Sequence, residues 1–194
     1  MIEILNLAEA ILNKNHHQLK KLIREISADD CFTKDIYYDS PISHWMYTGD
    51  TAMHLLCAAK QIEGINQLID NGCGINTNNN RRKSTPLHYA CEYIFEQDVY
   101  DQEQQEKLIL KLIELGANIN AEDKNGNTPL MTAIRSRALK AVQVLNTLNP
   151  ILKTEHLDKI ERMLNSNTGR GGVSCEQAKA NLIEIKKLMV PYFS

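Results

Sequence analysis

The sequence predicts an all-α fold, a solenoid of stacked helix-turn-helix units joined by short β-hairpin connections. Three observations predict it. A Thr-led start recurs at Thr51-Ala52-Met53-His54, Thr85-Pro86-Leu87-His88 and Thr128-Pro129-Leu130-Met131. Each start opens an apolar pattern of helical spacing that ends at Gly72, Gly116 or Asn149. Turn residues precede each start, so one supersecondary unit is written three times, and a repeat of this kind determines the whole architecture.

Composition bounds the rest. A chain of 194 residues with 43% apolar and 24% charged residues can bury a core without a disulfide or metal staple. Nine Gly and five Pro exclude collagen and low-complexity classes. A net charge of −2 gives no bulk attraction to nucleic acid or anionic lipid. Cys31, Cys57, Cys73, Cys91 and Cys175 are odd in number and widely spaced, which suits reduced thiols rather than a secreted disulfide framework. The segment from Met1 to Asn6 lacks a basic region, and no stretch approaches the ~20 apolar residues of a membrane span. The expectation is a soluble, cytoplasmic protein without cofactor or metal and without a membrane partner, with a monomer favoured.

Taken in order, residues 1–27 form an N-terminal helical pair. Leu7, Ala10, Leu19, Leu22 and Ile23 fall on the positions of Met53, Leu56, Ile65, Leu68 and Ile69, and Asn13, Lys14 and Asn15 make the turn. Residues 28–48 are a long connection holding Phe32, Tyr37, Tyr38, Trp45 and Tyr47, five of the aromatics. Such a loop is too aromatic for disorder and longer than a standard hairpin needs. It either covers the first helical pair or supplies binding anchors, or does both. Residues 49–80, 81–122 and 123–150 are the repeats. Thr51, Thr85 and Thr128 suit helix N-caps, and Pro86 and Pro129 suit a first helical position. The second repeat runs 31 residues from Thr85 to Gly116, against 21 from Thr51 to Gly72. The excess lies in 94–106, whose acidic run Glu96 to Glu106 either extends the second helix or bulges between the helices. In the third repeat Asn149 replaces Gly, a mild change at a left-handed C-cap. After Pro150 the pattern stops. Residues 151–194 read as a C-terminal helical cap, with one helix over 154–165 and a second opened by the capping box Ser174-x-x-Gln177.

These segments resemble ankyrin repeats. The start Thr85-Pro86-Leu87-His88, the end Gly116-Ala117-Asn118-Ile119-Asn120-Ala121 and the turn Asp123-Lys124-Asn125-Gly126-Asn127-Thr128 carry the resemblance across residues 47–150. It implies a non-catalytic protein-protein interaction module. The family's hairpin tips and first helices form a concave face, and carrying those positions over gives a candidate binding set. Tyr47, Thr48 and Asp50 come from the start of the first repeat, and Trp45 joins them from the aromatic connection rather than from a family position. Arg81, Arg82, Ser84, Glu92 and Tyr93 come from the second, and Lys124, Asn125, Asn127 and Arg135 from the third. With Lys83, the cations form a basic row beside Tyr47 and Tyr93, suited to an acidic or phosphorylated peptide. The resemblance also admits a bacterial effector acting in a host cell, although the sequence shows no recognisable export signal.

Two other classes compete. Cys31 and His44 share one irregular segment and could form a nucleophile-base pair of a cysteine-dependent enzyme, though nothing in the sequence orients them. The row Arg81, Arg82 and Lys124 could hold nucleic acid, against the overall negative charge. His54-x-x-Cys57 and His88-x-x-Cys91 have zinc-ligand chemistry, but equivalent positions of adjacent repeats lie roughly 10 Å apart, too far to share one ion.

Overall fold

The computed structural model describes residues 2–39, 42, 44–92, 102–166 and 176–193. Its helices are α1 (Ile2–Leu12), α2 (His16–Glu25), α3 (Ala52–Ala58), α4 (Ile65–Asp70), α5 (Pro86–Ala90), α6 (Gln102–Glu114), α7 (Pro129–Arg135), α8 (Leu139–Thr147), α9 (Thr154–Asn165) and α10 (Glu176–Met189). Strands β1 (Ile36–Tyr38) and β2 (His44–Met46) form one antiparallel ribbon between α2 and α3.

The helices pack in two rows. Successive odd-numbered helices, α1 to α9, contact one another, while α2 packs on α4 and α8 packs on both α6 and α10. One continuous core runs through the stack from Ile4 and Leu7 through Leu55, Leu87 and Leu130 to Ile160 and Ile185. The helices of one unit are too short to be stable alone, so burial between units sustains them.

Thr and His lock each unit to the next. The backbone N–H of Thr51 donates to His54 Nδ1 at 3.1 Å, and that of Thr85 donates to His88 Nδ1 at 3.1 Å. With Nδ1 accepting, the ring proton resides on Nε2. That nitrogen donates to the carbonyl just before the next unit's Thr: His54 to Ser84 at 3.1 Å and His88 to Asn127 at 3.0 Å. Both ring nitrogens of each imidazole are therefore taken by the protein itself. No group of three or more potential metal ligands occurs among the described residues.

Burial holds both imidazoles below the ordinary value of 6.5, only partly offset by Asp50 at His54 and by the Asn127 carbonyl at His88. A depressed folded-state value gives a stabilising contribution that is complete above pH 6.5 and is lost as pH falls through the folded-state values. Thermal melts should therefore show a midpoint that falls as the pH is lowered below 6.5.

The terminal units extend the stack. Leu7, Ala10, Leu19, Leu22 and Ile23 are all buried against their neighbours. At the other end the pattern does not stop at Pro150. Lys153 N donates to His156 Nδ1 at 3.3 Å, the Thr-x-x-His geometry with Lys in the Thr place, and α9 packs on α7 as α7 packs on α5. Ser174 of the expected capping box lies outside the described residues. Helix α6 takes the end of the acidic run into its first turns and is about twice as long as α4 (13 against 6 residues). The earlier part of that run lies outside the described residues. Asn149 adopts φ 51°, the left-handed conformation that Gly72 and Gly116 also adopt, so its side chain is tolerated there.

Candidate functional site

The connection between α2 and α3 folds back as an ordered ribbon. Phe32 N donates to Asp50 O and Gly49 N to Phe32 O, both at 2.8 Å, which ties the ribbon's base to the start of the first repeat. Strand alternation then sorts its side chains. Met46 and His44 face inward with Ile36 and Tyr38, and Ile42 and Phe32 are buried. Tyr37 and Trp45 pair across the strands on the outer side, 45% and 47% exposed, with ring centroids 5.6 Å apart. The ribbon thus covers the core with one face and presents an aromatic pair on the other.

Beside it lies a second aromatic-cationic group. The guanidinium groups of Arg81 and Arg82 lie 5.3 and 5.4 Å from the Tyr47 ring centroid, within cation-π range. Arg81 pairs with Asp35, whose Oδ1 also accepts from Thr48 N and Oγ1 at 3.0 and 3.2 Å. The tips are stitched together in turn: Lys124 N donates to Arg82 O at 2.8 Å. Trp45, Tyr47, Thr48, Arg81, Arg82, Lys124 and Asn125 are accessible, wholly or in part.

Four of the expected binding residues are structural instead. Asp50 is fully buried; it accepts from Tyr47 N at 2.5 Å, Asn79 Nδ2 at 2.8 Å and Tyr89 OH at 2.8 Å. Ser84 is buried and offers its carbonyl to His54. Asn127 is buried, with its side-chain amide on Asp123 and its carbonyl on His88. Glu92 is buried too, and His44 of the ribbon and Arg135 of α7 engage its carboxylate. The Glu92 carboxylate is therefore taken by the chain's own ribbon and by α7. Arg135 is partly buried by that pairing, and Tyr93 lies outside the described residues.

The same geometry separates Cys31 from His44. His44 Nδ1 is bonded to the Trp45 carbonyl at 2.7 Å and Nε2 to Glu92, leaving no ring nitrogen for the thiol. Cys31 instead makes a backbone bridge to Thr51 and lines a small cleft with Ile4, Leu5 and Phe32. Cys57 and Cys91 are wholly buried, and burial pushes both thiols up, Cys57 to about 12. Alkylation in native buffer at pH 8 should leave both unmodified while free cysteine reacts fully, and denaturant should release them; rapid native labelling of either would contradict this packing.

Sequence reasoning missed two cations. Lys60 and Arg137 occupy equivalent left-handed positions between the two helices of their units, with φ 55° and 61°. Lys60 Nζ donates to Cys57 O at 3.3 Å and to Tyr89 O of the next unit at 2.7 Å. Arg137 donates to Ile134 O at 3.0 Å and to Met163 O and Ser166 O of the next unit at 3.1 and 2.9 Å. Each joins the carbonyl-rich C-terminal ends of neighbouring helices, where a cation complements the dipoles. Burial pulls the Lys60 ammonium down to about 8, partly offset by Glu92. The available signal was a long cation directly after a helix in both places.

The model of the family described as "Ankyrin repeats (3 copies)" matches residues 7–122, more than half of the chain. The chain belongs to the ankyrin-repeat family. That family is in general a non-catalytic protein-interaction fold. The matched range takes in the N-terminal pair from Leu7 onward, and the units after residue 122 extend the stack beyond it. "Ankyrin repeat and SOCS box protein 6" of Mus musculus is 30% identical over 117 residues, 59% of this chain and 24% of that protein. The Homo sapiens protein of the same name is 28% identical over the same length. "Putative ankyrin repeat protein L91" of Acanthamoeba polyphaga mimivirus is 42% identical over 64 residues, 33% of this chain and 10% of that protein. The chain thus spans a quarter or less of the length of these ankyrin relatives. Among the described residues, no helix is long and apolar enough to cross a membrane.

Proposed function

We propose that this ankyrin-repeat protein binds a partner protein through the ribbon and the hairpin tips, without catalysis. The observation that carries this reading is the exposed Tyr37–Trp45 pair next to the Tyr47–Arg81–Arg82 group. Aromatic side chains on a rigid support lose little conformational entropy on binding, and aromatic and arginine side chains dominate interface energetics. Tyr37 and Trp45 would enter apolar depressions of the partner. Arg82 and Lys124 would orient an acidic segment, while Arg81 is already partly neutralised by Asp35. The supporting shell is internal: Asp50, Ser84, Asn127 and Glu92 hold the tips and the ribbon in place.

The reading places the protein in a cytosol, its own or that of a host cell. Its test is an affinity capture with the whole chain against the triple variant Trp45→Ala, Arg81→Ala and Arg82→Ala. All three side chains are exposed or partly so, so melting should shift little while specific partners are lost. Identical captured sets from the two proteins would remove this surface from consideration.

A further inference from the structure

A cleft of about 430 Å³ opens between the third repeat and α9, lined by Arg135, Arg137, Lys159, Arg162, Asn125 and Ser166 among others. We propose that this cleft receives the phosphoryl group of a phosphorylated segment of the bound partner, an inference that rests on the protein-binding reading above and gives it a specificity site.

Four cations line the cleft and, among the described residues, no carboxylate does, in a chain whose net charge is −2. One nearby carboxylate, Glu92, already pairs with Arg135 of the cleft, so the positive excess there comes from Arg137, Lys159 and Arg162. Glu92 also serves His44, Glu122 serves Lys153 and His156, and Asp123 accepts from Asn125 N and Asn127 N. Lys159 Nζ donates to Asn125 O at 2.8 Å, and Arg162 Nε to the Asp158 carbonyl at 3.1 Å, so both are held by neutral acceptors.

Arg137 supplies the second, independent observation. Its side chain is 1% exposed, its three hydrogen bonds go to carbonyls, and its Nε finds no acceptor among the described residues. A buried guanidinium answered by carbonyl dipoles alone lacks a counter-ion, and an anion in the cleft would provide one. A carboxylate needs one cation. A phosphomonoester carries up to two charges and three strong acceptor oxygens, and it matches several cations at once. The cleft volume falls within the roughly 300–1,000 Å³ of ligand clefts, room for a modified side chain with flanking backbone rather than an ion alone.

The test titrates the isotope-labelled whole chain with the blocked peptide Ala-Ala-phosphoserine-Ala-Ala at constant ionic strength. Its Ser and Glu counterparts and inorganic phosphate are run in parallel, and backbone and arginine Nε–H signals are followed. The phosphopeptide should give saturable shifts at Arg135, Lys159, Arg162 and Ser166. Arg162→Gln alone, and Arg162→Gln with Lys159→Gln, should weaken binding about tenfold or more with unchanged melting, because both side chains reach solvent. The Trp45, Arg81 and Arg82 triple variant should bind the phosphopeptide as the parent does, which separates this site from the wider surface. A phosphopeptide no tighter than the Ser or Glu peptide, shifts gathered at Arg81 and Arg82, or Gln variants without effect would each overturn the proposal. Inorganic phosphate binding as tightly as the phosphopeptide would likewise overturn a segment as the ligand.

Discussion

Asp50→Ala is expected to destabilise the protein by about 3–5 kcal/mol, because it strands several buried donors together. Asp50 is fully buried and accepts from the Tyr47 backbone, Asn79 and Tyr89. Ala leaves the Tyr89 hydroxyl without that acceptor in a site that water does not reach. The hydroxyl's titration is driven upward by burial first and then by Asp50, so it stays a donor at every accessible pH. For a chain of this length the loss corresponds to a fall of about 10 °C in melting temperature. Tyr89→Phe should cost less, about 2 kcal/mol, and the double variant should cost well under the sum, since both residues belong to one network. Additive losses in calorimetry would show that Asp50 and Tyr89 do not act together. Because the Asp50 carboxylate also holds Tyr47 N, the residue directly after β2, the single variant should raise hydrogen exchange at Tyr47 and in β2.

The second large effect is expected at Arg137. Arg137→Ala removes the guanidinium's bonds to Ile134, Met163 and Ser166 and vacates a buried volume, at a cost of about 3–4 kcal/mol. Two of those bonds join α7 to the end of α9, so the loss falls on the interface between the third repeat and the C-terminal unit. A solenoid weakened at one interface separates into two cooperative parts. Denaturant melts should therefore become biphasic, α9 and α10 unfolding first. Arg137→Gly should be milder than Arg137→Ala by about 1 kcal/mol, because the backbone has φ 61° and Gly alone adopts it freely. Equal costs for Gly and Ala, or a single sharp transition in both, would contradict this role.

The stacked architecture was legible because Thr and His at a helix start have one local geometry, and the sequence repeats it. Thr51 with His54 and Thr85 with His88 are nearly superimposable in their bond lengths. The N-terminal pair was legible from apolar spacing alone. The C-terminal unit was harder, since Lys153-Thr154-Glu155-His156 keeps only the His of the pattern, and the His makes the contact. The aromatic pair was legible as a cluster but not as a ribbon: Tyr37 and Trp45 become neighbours only once β1 and β2 pair.

The binding set was less legible, for a physical reason. Asp50, Ser84 and Asn127 look like polar tip residues, yet a tight turn must satisfy its own backbone, and these residues do so from inside. Glu92 depends on His44, which is 48 residues away in sequence. No local pattern reveals that pairing. Lys60 and Arg137 went unnoticed because their targets include carbonyls of the next unit, which no local pattern reveals.

The most direct measurement is a scan with a photoreactive phenylalanine analogue on the whole chain. It would replace Tyr37, Trp45, Arg82 and Lys124 on the ribbon and tips, and the exposed residues Asn66 of α4 and Gln143 of α8 on the other helical row. The account predicts cross-links to one and the same partner from the first four positions and none from Asn66 or Gln143. Equal cross-linking from both rows, or cross-links confined to α4 and α8, would contradict a binding face built from the ribbon and the tips.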